Sequence, residues 1–591
     1  MEVLRTYLCI MLVLPVHVSL VAQQPGDLDS TFGVNGIVVT DFTGKTDQAF
    51  AVAIQMDAKI VVAGCSSNGI NHDFALVRYD LDGTIDSTFG VNGKVLTPVG
   101  SKDDYAAAVA IQADGKIVAA GSSHNGSDFD IALVRYKEDG AIDSTFGING
   151  RVTTDIGGND DNGAALAIQP DNRIVVAGTT NNGFSNSMAV VRYNPNGVMD
   201  SSFGNGGSLT TSFPNYDDVD GMALCVQPDG KIIVAGTAQT WLLNDNFAIA
   251  RYKTDGTLDS TFGNAGRVNF GFGSFGGNND HARSMALQPD GRILVAGYTD
   301  IGIGDEVFAV ARLAVDGRLD SSFGVHGRSM TNFGTGEDYG QSVAIQPDGK
   351  IVVAGWSGHG NSSDIGVARY NGNGKLDPSF GGGGQLTTDL GTSADGAHAV
   401  AIQADGRILV VGYTAPFAGL SDFALARFIS ACPPTAVDAT VTQSGSMLIA
   451  NATEARYQWV DCEDGLKEIV GADRQSFTPL RNGIYAVIVD QNSCIDTSDC
   501  HEVTSVGLGS HSERDLLIYP NPTKGNLAIS LGSTWQEVDL EISNVLGRSV
   551  GRAKQYITDQ CDIVIDAPVG NYFLTIRRET GESWHAIVIK E

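Results

Sequence analysis

One phrase, Leu/Ile-Asp-Ser-Thr-Phe-Gly with small variations, returns seven times in this chain, at Phe32, Phe89, Phe146, Phe203, Phe262, Phe323 and Phe380. Successive copies stand 57, 57, 57, 59, 61 and 57 residues apart. Two further phrases keep step with it. Ala-Ile-Gln-Pro-Asp-Gly-Lys-Ile-Val-Val-Ala-Gly recurs around Gln55, Gln112, Gln169, Gln227, Gln288, Gln346 and Gln403. Phe-Ala-Leu-Val-Arg-Tyr recurs with Arg78, Arg135, Arg192, Arg251, Arg312, Arg369 and Arg427. A fixed period of this size means that each unit is one supersecondary block, able to bury its apolar face only against its neighbours.

Each unit holds four short runs rich in β-branched and aromatic residues. In the second unit they are Ala107 to Gln112, Lys116 to Gly121, Ile131 to Tyr136 and Gly150 to Thr154. Pro-Asp-Gly and Asp-Gly turns, which supply positive φ, separate them. No run has the length or the 3.6-residue spacing of an amphipathic helix. Four antiparallel strands per unit describe a propeller blade. The ends are out of phase in a telling way. The chain begins with a lone fourth strand, Gly36 to Phe42, and leaves the repeat after a third strand, Phe423 to Phe428. A ring lets the first strand complete the last blade and removes exposed edges. The expected fold is therefore all-β, with a seven-bladed β-propeller over residues 27–430. An open β-solenoid is the alternative.

At this point the units resemble the delta-sixty repeats found in tandem in secreted bacterial proteins. The resemblance covers about Asp27 to Ser430. It implies a propeller and an extracellular location, and it brings no catalytic residues with it.

The chain has 591 residues and a formal charge of −30, from 68 acidic and 38 basic side chains. An excess of acid argues against nucleic acid, whose phosphates call for a basic surface. Glycine is frequent at 73 residues while proline stands at 17, which indicates turns rather than disorder or collagen. Residues 1–22 read as a signal peptide: Arg5 is basic, Tyr7 to Val21 is mostly apolar, and cleavage fits near Ala22. A membrane anchor is the competing reading, but the run is short and His17 interrupts it. No later segment is apolar for long enough to span a bilayer.

With the Ala-Ile-Gln strand innermost as A, the A–B turns and C–D connections share one face and hardly vary between units. The B–C loops and D–A crossings share the other face. The B–C segments Cys65 to Asp73, Thr237 to Asn246 and Tyr413 to Asp422 have little in common. Variable loops on a rigid scaffold are where binding usually sits, so this is the expected functional face. The aromatics placed on it are Trp241, Tyr298, Trp356, Tyr413 and Phe417, residues suited to stacking on sugars or to simple packing.

An Asp stands eight residues before the repeat Gln in six units: Asp47, Asp104, Asp161, Asp280, Asp338 and Asp395. In the fourth unit Val219 holds that place between Asp218 and Asp220. These carboxylates either accept backbone N–H groups and fix each crossing, or ring the channel mouth as ligands for a cation such as calcium. Asp-x-Asp-Gly runs such as Asp80 to Gly83 lack the closing acid of a calcium loop and read as turns. The recurring Arg reads as a structural pair between blades, with a ligand contact as its alternative. No His-Glu-x-x-His pair, Gly-x-Ser-x-Gly elbow or phosphate loop is present. The Ser-x-Asp-x-Gly-x-Thr-Trp box of sialidase-like propellers is absent too. No catalytic residue and no obligatory cofactor is assigned.

Beyond Ser430 the composition changes. Residues 431–505 carry Cys432, Cys462, Cys494 and Cys500, with strand-like Tyr457-Gln458-Trp459 and Asn482 to Val487. This segment resembles the small immunoglobulin-like modules of Bacteroidetes surface proteins. Four cysteines in a secreted chain suggest two disulfides, with three pairings open. A four-cysteine zinc site is the alternative, weakened by the absence of a Cys-x-x-Cys pair. Cys65, Cys225 and Cys561 are expected to be unpaired. After a linker at 506–515, residues 516–591 begin with Tyr519-Pro520-Asn521-Pro522-Thr523-Lys524-Gly525 and contain Asn544 to Arg548 and Val569 to Leu574. They resemble the type IX secretion sorting domain, an immunoglobulin-like sandwich. That resemblance implies the type IX machinery as partner, outer-membrane export and usual removal of the domain. Release or surface attachment follows.

The expected function is a secreted or surface-displayed propeller that binds a glycan or protein. A cation-dependent hydrolase or lyase at the acidic mouth is the alternative, and a structural surface protein without a specific ligand is the second.

Overall fold

The computed structural model describes residues 24–504 and 517–590, apart from 241–244, 274–278, 303–304, 335, 361, 392–393, 416–419, 431–437, 454, 465, 480, 492–493, 520–522, 525, 531–537, 556–559 and 579–582. The signal peptide (1–22), the linker (506–515), Trp241, Phe417, Cys432, Pro520, Asn521, Pro522 and Gly525 lie outside the described residues, as do the side chains of Cys494, Tyr519 and Cys561. The chain divides into two compact units, Met1–Val437 with Asp490–Ile495 and Asp438–Val489 with Asp496–Glu591. No helix occurs among the described residues, and none is long and apolar enough to cross a membrane.

Seven antiparallel sheets make up the first unit. In sheet 1 strands A to D are Asp47–Ile54, Ile60–Ser67, His72–Tyr79 and Lys94–Thr97. Sheets 2 to 6 repeat this plan. Sheet 7 has its own A, B and C strands at Ala394–Ile402, Ile408–Ala415 and Asp422–Phe428. Its fourth strand comes from the other end of the chain: Ile37–Thr40 pairs antiparallel with strand C, Ile37 opposite Ala426 and Thr40 opposite Phe423. The A strands of successive sheets are neighbours in a closed cycle, sheet 7 returning to sheet 1. The ring is closed, as the phase of the two ends required.

Strands B and C are buried on both faces, which explains their continuous apolar runs such as Ile60 to Cys65. The cores lie between sheets rather than within them. Val61, Ala63 and Phe74 of sheet 1 pack with Ala106, Ile117 and Ala132 of sheet 2. Each fully buried Val, Leu or Ile contributes roughly 1.5–3 kcal/mol, so the ring is held by many equivalent seams.

The three repeated phrases meet in one cluster per sheet. Arg78 Nε donates to Asp86 Oδ2 at 2.7 Å, and Lys59 of the A–B turn reaches the same oxygen at 2.7 Å. The Arg78 guanidinium lies 4.7 Å above the Phe89 ring. Its Nη1 donates to the Glu138 carbonyl in the next sheet at 2.5 Å. The Asp86 carboxyl is opposed by burial, yet hydrogen bonds from Lys59 and Thr88 and the Arg78 guanidinium hold it well below the usual range. Equivalent Arg–Asp pairs recur in every sheet, ending with Arg427 and Asp29. The recurring Arg is a structural residue that ties its own D–S–T–F–G turn to the neighbouring sheet. Tyr79 adds a second tie, its hydroxyl 2.7 Å from Thr40 Oγ1 of the preceding sheet.

The second unit holds small antiparallel sheets. Arg456–Asp461 pairs with Lys467–Glu468, and Gly483–Gln491 pairs with His501–Val503. Trp459 is fully buried, stacked on Phe477 at 5.4 Å, and donates its indole N–H to the Arg474 carbonyl at 2.8 Å. Cys462 and Cys500 form a disulfide. Val538–Asn544 pairs with Ser549–Gln555 and Gly570–Arg578, and the last of these pairs with Ser583–Lys590. Leu540, Ile542, Leu574, Ile576 and Val588 form its core.

Candidate functional site

A β-bulge interrupts every innermost strand at the same place. In sheet 1 it falls between Ala49 and Ala51, and in sheet 7 between Ala397 and Ala399. The extra residue differs in each sheet: Phe50, Ala107, Ala164, Met222, Arg283, Gln341 and His398. Bulges re-aim side chains, and here neighbouring bulge residues meet. Arg283 touches Met222 Sδ at 3.9 Å, and the rings of Phe50 and His398 lie 5.3 Å apart. The bulge also explains the glycine of Val-Ala-Gly in strand B. A Cβ on Gly178 would stand 1.8 Å from the Asn162 carbonyl oxygen, and on Gly64 1.9 Å from that of Gln48.

Just beyond the bulge the ring loses its symmetry. The residue after that glycine is Cys65, Ser122, Thr179 and Thr237 in sheets 1 to 4, but Tyr298, Trp356 and Tyr413 in sheets 5 to 7. These three belong to B strands, not to loops as their sequence setting suggested. Tyr298 is 8% exposed, and Trp356 and Tyr413 are half-buried. The B strands run further toward the variable face than expected, so the described loop of sheet 1 is only Asn68 to Asn71.

The three candidates form one continuous run with partners on strand A. His281 and Tyr298 are 4.8 Å apart, Tyr298 and Tyr339 4.7 Å, and Tyr339 and Trp356 5.1 Å. The run continues from Trp356 to His398 at 6.1 Å and from His398 to Tyr413 at 5.5 Å. It spans sheets 5, 6 and 7 and reaches sheet 1 through Phe50. A shorter run, His72–Tyr105–Phe129–His124, joins sheets 1 and 2. Tyr339, His281, His398 and Phe50 were not singled out from sequence. Their signal was present in the position after the recurring Asp and at the bulge, but only the register shows those positions facing the B-strand aromatics.

Arg283 supplies the charge of this wall. Its guanidinium sits 5.5 Å from the Tyr298 ring centroid, and Nη2 donates to the Tyr298 hydroxyl at 3.1 Å. No carboxylate within salt-bridge distance of Arg283 occurs among the described residues, and its buried Nε has no hydrogen-bond partner. Burial, with the Arg283 charge second, pushes both His281 and His398 down to about 4, so both imidazoles are neutral near pH 7. Burial, with Asp220 second, pushes Asp245 up to about 6; its Oδ2 is 3.4 Å from His281 Nε2. The wall therefore offers ring faces, neutral imidazoles and one cation that no carboxylate of the described residues meets at salt-bridge distance, with Asp220 near enough to feel its charge.

The six recurring aspartates each serve their own crossing. Asp47, Asp104, Asp161, Asp338 and Asp395 accept the N–H of the residue five positions earlier, from 2.5 Å at Ile156–Asp161 to 2.8 Å at Val99–Asp104. Asp280 does the same for Phe272 at 2.9 Å and also accepts the Thr299 hydroxyl. Among the described residues no acidic cluster contains two of them, so they do not converge on one axial site. Three of them instead meet two other acids at their own sheet junction: Asp47 with Asp41 and Asp422, Asp161 with Asp130 and Asp155, Asp395 with Asp364 and Asp389. Cys65 and Cys225 are free, as expected.

Seven four-stranded sheets closed on an axis define a seven-bladed β-propeller, and a distinct β module ends the chain. The seven units are repeats of the family described as "Domain of unknown function (DUF5122) beta-propeller", at residues 55–89, 112–146, 169–203, 227–262, 288–323, 346–380 and 403–428. Residues 517–590 are a "Secretion system C-terminal sorting domain". The protein is thus exported by the type IX system, to the cell surface or the medium. No curated protein matches the chain. Among solved structures it is similar to virginiamycin B lyase from Staphylococcus aureus, at 12% identity over 66% of this chain and 98% of that one, with a TM-score of 0.37. A protein of unknown function from Dyadobacter fermentans matches at 13% identity over 67% and 99%, TM-score 0.36. Polysaccharide lyase Uly1 matches at 11% identity over 68% and 92%, TM-score 0.40.

Proposed function

We propose that this exported propeller binds a carbohydrate chain on the aromatic wall formed by sheets 5 to 7, while its sorting domain delivers it to the cell surface and is then removed. The observation that carries this reading is the unbroken run from His281 to Tyr413 across three adjacent sheets. A purely structural position has no reason to be aromatic in three adjacent sheets and Ser or Thr in three others. Ring faces suit the apolar faces of sugars, and Arg283 directs the preference to acidic sugars, since guanidinium recognises carboxylate. We read residues 431–505 and 516–591 as immunoglobulin-like modules, a spacer and a sorting domain.

The test is binding of the purified full chain to neutral and uronate-containing oligosaccharides. Uronates should bind best. Trp356→Ala should weaken binding about tenfold, in line with the loss of one stacked ring, and Arg283→Gln should abolish the preference for acid over neutral chains. If no saccharide binds, or Trp356→Ala binds as the parent does, the reading fails and a structural spacer takes its place.

A second reading, a lyase, draws on the neutral imidazoles beside Arg283. β-Elimination of a uronate needs a cation on the carboxylate and a base for the proton α to it. His281 or His398 would take the C5 proton while a C4=C5 double bond forms and the C4–O bond breaks, its electron pair leaving on the departing sugar oxygen, which takes a proton from water. Ultraviolet absorbance of the unsaturated product distinguishes this from binding alone.

A further inference from the structure

We propose that three of the seven sheet junctions each bind a divalent hard cation, calcium by its chemistry, through three aspartates, one from strand C, one just after strand D and one from the next strand A. This rests on junction geometry and is independent of the carbohydrate reading.

The register brings the same three positions together at every junction. They are the strand-C residue just before its pairing with strand D, the residue that follows strand D, and the recurring Asp at the start of the next strand A. Between sheets 2 and 3 these are Asp130, Asp155 and Asp161. Between sheets 7 and 1 they are Asp422, Asp41 and Asp47, and between sheets 6 and 7 Asp364, Asp389 and Asp395. Within each trio one carboxylate oxygen from each residue lies within 4.8 Å of the other two. At the other four junctions Pro98, Ser212, Gly271 and Asn332 replace the middle acid, so the trio is never complete there.

Charge and hydrogen bonding both point to a missing partner. Asp161 is fully buried and Asp130 is 9% exposed. Asp161 Oδ2 accepts the Ile156 N–H, and Asp130 Oδ2 accepts from Asn125 at 3.1 Å. Asp130 Oδ1 is buried with no hydrogen-bond partner, while Asp161 Oδ1 faces the Thr180 hydroxyl across the hairpin. Asp47 faces the Ser66 hydroxyl in the same way. A buried carboxylate oxygen without a donor is costly, and one beside two further carboxylates more so. A calcium ion offsets all of these at once. It takes six to eight oxygens, so three carboxylates leave room for carbonyls and water. Bound there, it would pin the C, D and A strands of adjoining sheets together.

The test uses the full chain, stripped with chelator and dialysed against calcium, with bound metal counted by elemental analysis and affinity read by titration calorimetry. The expected result is three calcium ions per chain, bound at roughly 10⁻⁴–10⁻³ M as in extracellular modules, with a higher melting temperature than the stripped chain. Asp155→Asn keeps the oxygen that accepts the Gly158 N–H, so the turn survives. It should remove one ion and, by relieving repulsion among the three acids, should not lower the melting temperature in chelator. Pro98→Asp completes a trio with Asp73 and Asp104 and should add one ion. Absence of bound calcium at ~5 mM, several times the weakest extracellular affinity, would overturn the proposal. So would an Asp155→Asn chain that binds as many ions as the parent.

Discussion

Arg427 donates through Nε to Asp29 Oδ2 at 2.9 Å, across 398 residues of chain. In the other six sheets the equivalent pair is local, eight residues apart, as in Arg78–Asp86 and Arg135–Asp143. The first described residues thus supply sheet 7 with its fourth strand and also with the acid of its ion cluster. Arg407 shares that acid at 2.7 Å, and Gly26 N–H bonds the Ile429 carbonyl at 2.8 Å.

Removing one partner of this buried pair leaves an unpaired guanidinium. Asp29→Ala should cost about 3 kcal/mol, and so should Asp143→Ala within sheet 2. Only Asp29→Ala should raise amide exchange at Ile37–Thr40, because only there does the pair anchor a terminal strand. Equal exchange in the two variants would mean that the strand's own hydrogen bonds hold the ring closed.

The strand-B glycines are expected to be irreplaceable for a steric reason. Gly178→Ala places a methyl 1.8 Å from the Asn162 carbonyl oxygen, and backbone must move to admit it. A loss of about 3 kcal/mol, the upper part of the overpacking range, is expected in urea denaturation. Gly183→Ala, in an open hairpin, is the control with a small effect from its φ of +88° alone.

The Cys462–Cys500 disulfide closes a 38-residue separation. On loop entropy it stabilises its module by about 4 kcal/mol. Reductant, or Cys462→Ser with Cys500→Ser, should lower the melting transition of that module and leave the propeller transition in place. A shift of the propeller transition instead would refute this separation.

Two pairs of buried groups act in opposite senses with pH. His281 and His398 stay neutral down to about 4, so as pH falls from 6.5 to 4 the unfolded chain takes up protons that the folded chain does not. Acid therefore destabilises through them. Burial raises Asp245 and Asp280 to about 6, so the folded chain holds protons that the unfolded chain has lost, and acid stabilises through them. Relative to the parent, His281→Gln with His398→Gln should gain melting temperature between pH 6 and 4. Asp245→Asn with Asp280→Asn should lose it over the same window. Parallel curves for all three proteins would remove these groups from the linkage.

Much of this was legible in the residues. The seven copies of Phe32's phrase, the spare strand before Phe42 and the missing one after Phe428 dictated a closed ring, because a propeller repeats one local block and its edges must be paired. The export route was legible in Tyr519 to Gly525 for a similar reason: a sorting segment is a local signal. The site was less so. Tyr298, Trp356 and Tyr413 stood out as aromatics, but their assignment to loops was wrong, since nothing in a hairpin sequence says how far a strand extends when its neighbours keep pairing. Their partners Tyr339, His281 and His398 lie 15 to 42 positions away along the chain. The bulge at Phe50, Arg283 and His398 turns side chains out of alternation, so a two-residue period misplaces them. The six aspartates looked like one axial set because they share a position in the repeat. Only tertiary structure decided that each faces its own junction, and that Asp130 and Asp155 from other strands complete the company of Asp161. A repeat sequence determines which contacts recur; which non-recurring side chains meet depends on distances between sheets, and those are set by packing.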